Sequence, residues 1–353
     1  MKIHIFYNFQ DGPWGGGNQF LKALREAFRK RGIYSETLEG AEVVLVNSHH
    51  LTSVENLSYL IDVLSKQREK IIIHRIDGPV GKIRGKDDGA DKLIFDFNKV
   101  FATGSIIQSK WCMENCARLG LDVKQTPYKT IFNAPNPDIF FSNSQAAQRE
   151  GQKIRLIATS WSPNKRKGFD VYQWMDKHLD WQRYSMTFIG NSPVKFRNIS
   201  HLNPLASREL GKCLREHDIF ITASQNDPCS NSLIEALHTK LPALVLNDGG
   251  HPELVRGGGL TFDAPDEIPK KLSKLSDNLG DYRSKIAIPS LDEVTEQYIG
   301  FMKTCKRNGK KNIDVFAMNE FMSLYKKYTL LSRGCPFHIR VIKKVKKIFQ
   351  IFK

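Results

Sequence analysis

The stretch from residue 218 to residue 253 constrains the fold most, because it places several kinds of local structure in a fixed order. The apolar run 218–224 predicts a strand, and a polar loop that contains Asp227 follows it. After seven more residues comes Glu235, in a segment that we expect to be helical, and residues 240–246 predict a second strand before a Gly-Gly turn. This order is typical of one half of an α/β nucleotide-binding unit.

The two carboxylates of this stretch are suited to binding a polyol. An ionised carboxylate accepts hydrogen bonds, and the hydroxyls of a sugar or a ribose donate them. We expect Asp227 to lie in the loop and Glu235 about two turns into the helix. One carboxylate would then contact a sugar and the other a ribose.

Strands and helices alternate along the chain in two blocks. The predicted strands are residues 2–9, 41–47, 70–74, 100–103, 129–132, 154–159, 185–190, 218–224 and 240–246. Residues 136–152 are rich in Pro, Asn and Ser and predict a linker between domains 1–135 and 153–290, with C-terminal helices over 291–333. The predicted fold class is therefore α/β, with two Rossmann-like domains that face each other across a cleft.

The length and composition of the chain limit the class of protein to which it can belong. A chain of 353 residues with 41% hydrophobic residues is long enough for two domains with their own cores. The first strand is too short, and the chain too polar after Phe9, for a signal peptide. No run approaches the roughly 20 apolar residues of a membrane-spanning helix. Six scattered cysteines lack zinc-ligand spacing and predict reduced thiols. We therefore expect a cytoplasmic protein.

Positive charge is concentrated at the C-terminal end. The net charge is +16, and the residues from 301 onward contribute 14 bases and two acids, or +12 of that total. A nucleic-acid binder usually spreads its charge over the folded body, so we expect no nucleic-acid partner. Residues 334–353 place apolar side chains on one helical face and lysines on the other. This pattern predicts a basic amphipathic tail helix that contacts an anionic membrane surface, or else packs on its own protein.

Two further segments have the composition of phosphate-binding turns. Gly15-Gly16-Gly17 opens the first predicted helix, where glycines allow close backbone approach and the helix N-terminus offers free N–H groups. Lys165-Arg166-Lys167 precedes Gly168 after the first strand of the second block. Three cations there suit a diphosphate, on whose negative charge they would act electrostatically. The alternatives are a flexible turn and a solvated basic turn.

With these motifs the sequence resembles group 1 of the retaining nucleotide-sugar glycosyltransferases, a family with the GT-B fold. The family signature is Glu, seven residues, Glu, and this chain has Asp227 and Glu235 at those positions. Lys167-Gly168 matches the Lys-Gly of the family, whereas the family's upstream arginine has no counterpart here. The resemblance covers roughly the first 300 residues.

The resemblance implies roles for these residues. Lys167 would hold the diphosphate of the donor, with Arg166 or Lys165 as a candidate substitute for the missing arginine. Glu235 would bind the ribose, and Asp227 the hydroxyls of the transferred sugar. The further donor-binding candidates are Gly16, Gly17, Gly190, Ser230, Asn231 and Ser232.

Two more candidates lie at the end of a strand in the first domain. Related enzymes keep a histidine near this strand, which implies an active-site role for His74 and for Asp77 in the following turn. A histidine in this position is equally well explained as part of the core. No cluster of residues has metal-ligand spacing, and Asp87-Asp88 lacks the spacing of a metal-binding Asp-x-Asp. We therefore expect no metal and no cofactor besides the nucleotide sugar.

The resulting hypothesis is a transferase that moves a sugar from a nucleotide-sugar donor to a glycan or lipid-linked acceptor with retention of configuration. The chemistry would serve polysaccharide or glycolipid synthesis. Two alternatives remain open at this point. A nucleotide-sugar epimerase has the same fold but needs additional acid and base groups, and a non-catalytic binding protein would explain the Asp at position 227.

Overall fold

A computed structural model describes residues 1–12, 14–48, 54–86, 89–142, 152–309 and 311–332. The predicted amphipathic tail 334–353 lies outside the described residues, as do Asp87-Asp88 and most of the predicted linker.

The N-terminal domain alternates short strands with helices. Its elements, in chain order, are β1 (Ile3–Phe6), α1 (Gly16–Lys30), β2 (Val43–Asn47), α2 (Val54–Lys66), β3 (Ile71–Ile76), α3 (Val80–Arg84), α4 (Ala90–Phe101), β4 (Gly104–Ile107), α5 (Lys110–Arg118) and β5 (Tyr128–Thr130).

The five strands form one parallel sheet in the order β1-β2-β3-β4-β5. After α1, Tyr34 forms a single parallel bridge to Ile3 on the other edge of β1. After α1 the chain therefore lies on one side of β1 in the sheet, and from β2 to β5 it proceeds away from β1 on the opposite side. Because such crossovers are right-handed, α1 lies on one face of the sheet and α2 and α4 lie on the other. The reversal at β1 and β2 is a topological switch point, where open α/β sheets bind ligands at the carboxyl edge.

The C-terminal domain repeats this plan with a larger sheet. Its elements are β6 (Ile154–Ser160), α6 (Phe169–His178), β7 (Tyr184–Gly190), β8 (Ser200–Leu202), α7 (Ser207–Arg215), β9 (Ile219–Thr222), α8 (Asn231–His238), β10 (Ala243–Leu246), α9 (His251–Val255), β11 (Gly259–Phe262), α10 (Ile268–Ser276) and α11 (Leu279–Ser284).

The six strands of this domain are parallel, in the order β11-β10-β9-β6-β7-β8. The direction of the chain reverses between β6 and β9, which makes their carboxyl ends the second switch point. Strand β9 is buried on both faces, as expected for a continuous apolar run in a parallel sheet, and β6 is buried everywhere except at Arg155 and Thr159. The loops that follow them contain Lys167 and Asp227.

The last helices return to the N-terminal domain. Helix α12 (Leu291–Arg307) begins with a capping box in which Ser290 and Glu293 satisfy each other's backbone N–H groups. Its buried face, including Tyr298 and Met302, joins the core beneath α1. Helix α13 (Val315–Ser332) places Phe321 and Tyr325 against α2 and α4. No helix in the described part of the chain is long and apolar enough to cross a membrane.

One strand prediction is wrong. Residues 100–103 were expected to form a strand, but Val100 and Phe101 belong to the last turn of α4, and the strand begins at Gly104. The β-branched and aromatic side chains of Val100 and Phe101 predict a strand. Phe101 instead continues the helical spacing of Leu93 and Phe97, and these three side chains are buried together.

Candidate active site

A cavity of about 290 Å³ opens between the domains at the carboxyl ends of β6 and β9. The N-terminus of α1 covers it from the opposite domain, and the N-terminus of α8 forms its floor. The predicted site residues that line it are Gly16, Lys167, Gly190, Asp227, Ser230, Asn231, Ser232 and Glu235. Most of the candidates proposed from sequence therefore lie around one cavity.

The cation of this cavity is positioned by a short turn. Residues Lys165–Lys167 form a 3-10 turn that begins at Asn164, whose side chain accepts a hydrogen bond from the N–H of Arg166. The turn ends at Gly168 with φ 75°, and a Cβ there would collide with Ala223. This geometry brings Lys167 Nζ to 3.1 Å from Asp227 Oδ2.

Asp227 is held in its ionised form. Burial raises the pKa of Asp227, but the charge of Lys167 and the hydrogen bonds from Lys167 and the Cys229 N–H outweigh it and hold that pKa below its usual range. Its Oδ1 accepts a weaker hydrogen bond from the N–H of Cys229 at 3.3 Å. The Asp227 carboxylate therefore remains an acceptor near neutral pH, with 16% of its side chain exposed to the cavity.

Glu235 differs from Asp227 in its electrostatics. It projects from the second turn of α8 into the cavity, and among the described residues it has neither a hydrogen-bond donor nor a cation as partner. Burial raises the pKa of Glu235 to about 8. An unpaired, partly buried carboxyl group that faces a cavity is characteristic of a ligand-binding position.

Ser230 caps α8 and sets the geometry of its first turn. Its Oγ accepts a hydrogen bond from the N–H of Leu233 at 3.4 Å and lies 3.1 Å from the Oγ of Ser232. The free N–H groups of this helix terminus line the cavity together with two hydroxyls. Such a terminus favours an anionic group.

Two glycines of the cavity are required by close contacts. Gly190 has φ 135°, and a Cβ there would collide with the carbonyl oxygen of Ser160 on the neighbouring strand. A Cβ on Gly16 would collide with the side chain of Asn231 across the cleft and would lie 2.9 Å from its Nδ2. Gly16 therefore permits the close approach of α1 to α8.

Four of the predicted site residues do not line this cavity. A Cβ added to Gly17 would meet nothing within 4 Å, and the Arg166 side chain packs beside Gly85 and contacts Gln225 Oε1 at 3.4 Å. Asp77 accepts hydrogen bonds from Asn47 at 2.7 Å and from Gln108 at 2.9 Å. It also pairs with Arg75.

His74, the fourth of these residues, lies in the core rather than at the cleft. It is fully buried within β3, Nδ1 is 3.0 Å from the Asn98 amide, and the ring packs edge-on against Phe97. Burial lowers the pKa of His74 to about 3, so the imidazole is neutral. Its strand continues for two residues past it, to Ile76, and therefore the side chain does not reach the carboxyl edge.

Two roles near the cleft were not predicted from the sequence: that of Arg75, and that of Glu253, which was expected only to lie in a loop that faces the cleft. Arg75, near the end of β3, is fully buried. An arginine side chain is rarely buried unless it has partners. Glu253 crosses to the other domain and accepts hydrogen bonds from the N–H groups of Lys110 and Trp111, both at 2.8 Å. Glu253 thereby caps helix α5, a role that depends on how the domains are placed and that leaves no local sequence signal.

In the described part of the chain, no group of three or more His, Cys, Asp or Glu side chains is arranged to hold a metal ion.

Comparison with solved structures identifies the architecture. Sucrose-phosphate synthase from Thermosynechococcus elongatus aligns with a TM-score of 0.65 at 12% identity, over 86% of this chain and 99% of that chain. HepE from Anabaena, solved in complex with UDP-glucose, aligns with a TM-score of 0.63 at 11% identity, over 86% and 100%. WaaG, a glycosyltransferase involved in lipopolysaccharide biosynthesis, aligns with a TM-score of 0.60 at 12% identity, over 86% and 99%.

No family model matches the sequence, and no curated protein matches it either. The similarity to the solved structures extends over both domains, and it confirms the fold that the sequence resemblance implied. The chain has the GT-B fold: two Rossmann-like domains with a ligand cleft between them.

Proposed function

We propose that this protein is a glycosyltransferase that moves a sugar from a nucleotide-sugar donor to a glycan or lipid-linked acceptor, with retention of anomeric configuration. The observation that carries the proposal is the convergence of Lys167, Asp227 and Glu235 on one cavity at the switch point of the C-terminal domain. The three side chains match the three parts of such a donor. Lys167 is a cation for the diphosphate, Asp227 is a charged acceptor for the sugar hydroxyls, and Glu235 is an unpaired carboxyl group for the ribose.

The donor occupies the cavity with its parts in a fixed order. Lys167 and the N-terminus of α8 bind the diphosphate, since both present positive potential to the same space. Glu235 binds the ribose, and Asp227 binds the hydroxyls of the sugar to be transferred. Lys167 then stabilises the charge that develops on the departing nucleoside diphosphate.

Retention of configuration follows the resemblance to group 1 enzymes, in which the leaving phosphate itself is thought to take the proton of the acceptor. Lys167 supplies the positive charge that this step requires, and we propose that turnover needs no metal and no further cofactor. Turnover that EDTA abolishes and magnesium restores would contradict this. The configuration of the product is read from the anomeric proton coupling in an NMR spectrum.

The membrane is the proposed location of the acceptor. The basic residues 334–353 would hold the protein at the cytoplasmic face, next to a lipid-linked acceptor. Vesicles with about 30% anionic lipid, a fraction chosen to give a strong surface potential, are to be compared with neutral vesicles. Equal binding of a chain truncated after residue 333 would refute the role of the tail.

The first experiment is a thermal-shift and hydrolysis screen against UDP-, GDP-, ADP- and dTDP-sugars. One donor that stabilises the protein and slowly releases its nucleoside diphosphate would support the proposed transferase activity. It would also identify the nucleobase of the donor. Product analysis then separates the alternatives: a new glycoside supports the proposal, an epimerised donor assigns an epimerase, and binding without conversion assigns a binding protein.

A further inference from the structure

A buried polar chain connects the N-terminal domain to the candidate donor site. It begins at Arg75, whose guanidinium is fully buried and donates to the hydroxyl of Tyr298 at 3.2 Å and to Asn47 Oδ1. The same guanidinium donates to Asn133 Oδ1 at 2.7 Å. Asn133 follows β5, where the chain leaves the first domain, and it is fully buried as well.

The contacts of Asn133 fix the orientation of its amide. Its oxygen must face Arg75, because a guanidinium has no acceptor. Its nitrogen therefore faces the other way and donates to Gln108 Oε1 and to Asn231 Oδ1, both at 3.0 Å. The orientation of the Gln108 amide is fixed in the same way, since its Nε2 donates to Asp77 Oδ1 at 2.9 Å.

The orientation of Asn231 follows from that of Asn133. Because Asn231 Oδ1 accepts from Asn133, its Nδ2 must point elsewhere, and it lies beside Gly16 at the N-terminus of α1. Asn231 lines the cavity, and its Nδ2 donates no hydrogen bond to any part of the chain that the structure describes. A charge in one domain thus determines which end of an amide the other domain presents to the ligand.

We propose that Asn133 is a positioning residue that turns the amide of Asn231 so that Nδ2 donates to a diphosphate oxygen of the bound nucleotide. The inference rests on the proposed function. A diphosphate oxygen accepts hydrogen bonds and does not donate them, so the reversed amide would place an oxygen against the anion. The relay is complete when Asn133, where the chain leaves the N-terminal domain, lies against Asn231 of α8, so it couples diphosphate binding to the placement of the two domains.

The isosteric variant Asn133→Asp tests this relay. One oxygen of the introduced carboxylate keeps the contact with Arg75, and the other replaces the Nδ2 donor, so that Asn231 must turn its own Nδ2 toward residue 133. We expect affinity for a nucleoside diphosphate to fall about tenfold or more. Affinity for the corresponding nucleoside, which has no diphosphate, should be unchanged.

The probes are UDP, GDP, ADP and dTDP, and the nucleoside of whichever one binds the wild type, measured by calorimetry. Asn231→Ala should lose as much affinity as Asn133→Asp, and the double variant should lose no more than Asn231→Ala alone, because residue 133 acts through residue 231. Asn115→Asp is the matched control: Asn115 is a buried amide of the same domain that bonds to Lys82 and Trp111 instead. Its affinity should match the wild type.

Asn133→Ala separates positioning from stability. It leaves Arg75 short of an acceptor, so it should lower the melting temperature more than Asn133→Asp while reducing affinity less. Wild-type affinity of Asn133→Asp, equal losses for diphosphate and nucleoside, or additive losses in the double variant would overturn the relay alone. A wild type that binds none of the four nucleoside diphosphates would overturn the proposed function with it.

Discussion

Lys167 Nζ lies 3.1 Å from Asp227 Oδ2, so the cation of the candidate site is held by a carboxylate before any ligand is present. The pair comes from two loops that follow neighbouring strands, β6 and β9. An ordered lysine loses less side-chain entropy when it binds a phosphate. The same contact keeps Asp227 ionised and ready to accept hydrogen bonds from hydroxyl groups.

Replacing Lys167 by Ala should reduce affinity for the nucleoside diphosphate about tenfold or more, because a charge-assisted contact is lost. Lys165→Ala is the matched control, since Lys165 is an exposed residue of the same turn that does not line the cavity. Calorimetric titration of both variants measures the difference. Equal affinities of the two variants would exclude Lys167 from the diphosphate site.

Much of this site could be predicted from the sequence because its residues lie within local motifs. Lys167 precedes a glycine in a turn, and Asp227 and Glu235 are separated by a loop and one helical turn. Each of these positions is fixed by a few neighbouring residues. The alternation of strands and helices likewise predicted two parallel sheets, because strands buried on both faces have continuous apolar sequences, but it missed β8 and β11 and misplaced β4.

The parts that sequence could not reveal depend on distant contacts. His74 was considered for the site because it lies near a strand end, but β3 continues past it and the ring faces Phe97. Arg75, its neighbour, has the opposite orientation and reaches Asn133, where the chain leaves the first domain, as alternate side chains of a strand must face opposite sides. Only the register of β3 within the sheet decides between them.

The two glycines at the start of α1 give a sharp test of the closed cleft. Gly16→Ala should weaken donor binding, because its Cβ would collide with Asn231 and hold the domains apart, at a cost of about 1–3 kcal/mol. Gly17→Ala, one residue on, meets nothing within 4 Å and should bind donor normally. It should also be as stable as the wild type or up to about 1 kcal/mol more stable, since Ala favours helix.

Small-angle scattering and donor titration of these two variants provide the measurement. The radius of gyration of the Gly16→Ala variant should exceed that of the Gly17→Ala variant. Identical values together with identical affinities would show that contact between α1 and α8 has no part in binding.

The raised pKa of Glu235 predicts how stability varies with pH. In the folded protein burial raises this pKa to about 8, above the ordinary value of 4.5. Between these two pKa values the folded state therefore holds a proton that the unfolded state releases. The contribution of Glu235 to the free energy of unfolding is fully present below the unfolded-state pKa and is lost as the pH rises toward 8. Glu235→Gln removes this dependence.

Urea unfolding of the wild type and Glu235→Gln at several pH values, from about 5 to about 9, measures the effect. The free energy of unfolding of the wild type, relative to the variant, should decline over this window and level off above the folded-state pKa of about 8. A constant difference between the two proteins would contradict the burial of an uncharged carboxyl group at this position. Glu209→Gln, on the N-terminal turn of α7, is an appropriate surface control.

Glu253 should hold the two domains together through helix α5. Its carboxylate oxygens accept hydrogen bonds from the first two N–H groups of that helix, which also carry the positive end of the helix dipole. Glu253→Ala should lower the free energy of unfolding by about 1–2 kcal/mol and enlarge the radius of gyration. Urea unfolding and small-angle scattering measure the two effects.

The control for this variant is Glu216→Ala, because Glu216 is exposed at the C-terminal end of α7, where an acid gives no dipole stabilisation. Donor affinity should fall for Glu253→Ala, since the cleft that binds the donor is no longer held closed, and remain normal for Glu216→Ala. Unchanged scattering and unchanged affinity of Glu253→Ala would show that the cap stabilises α5 without holding the cleft closed.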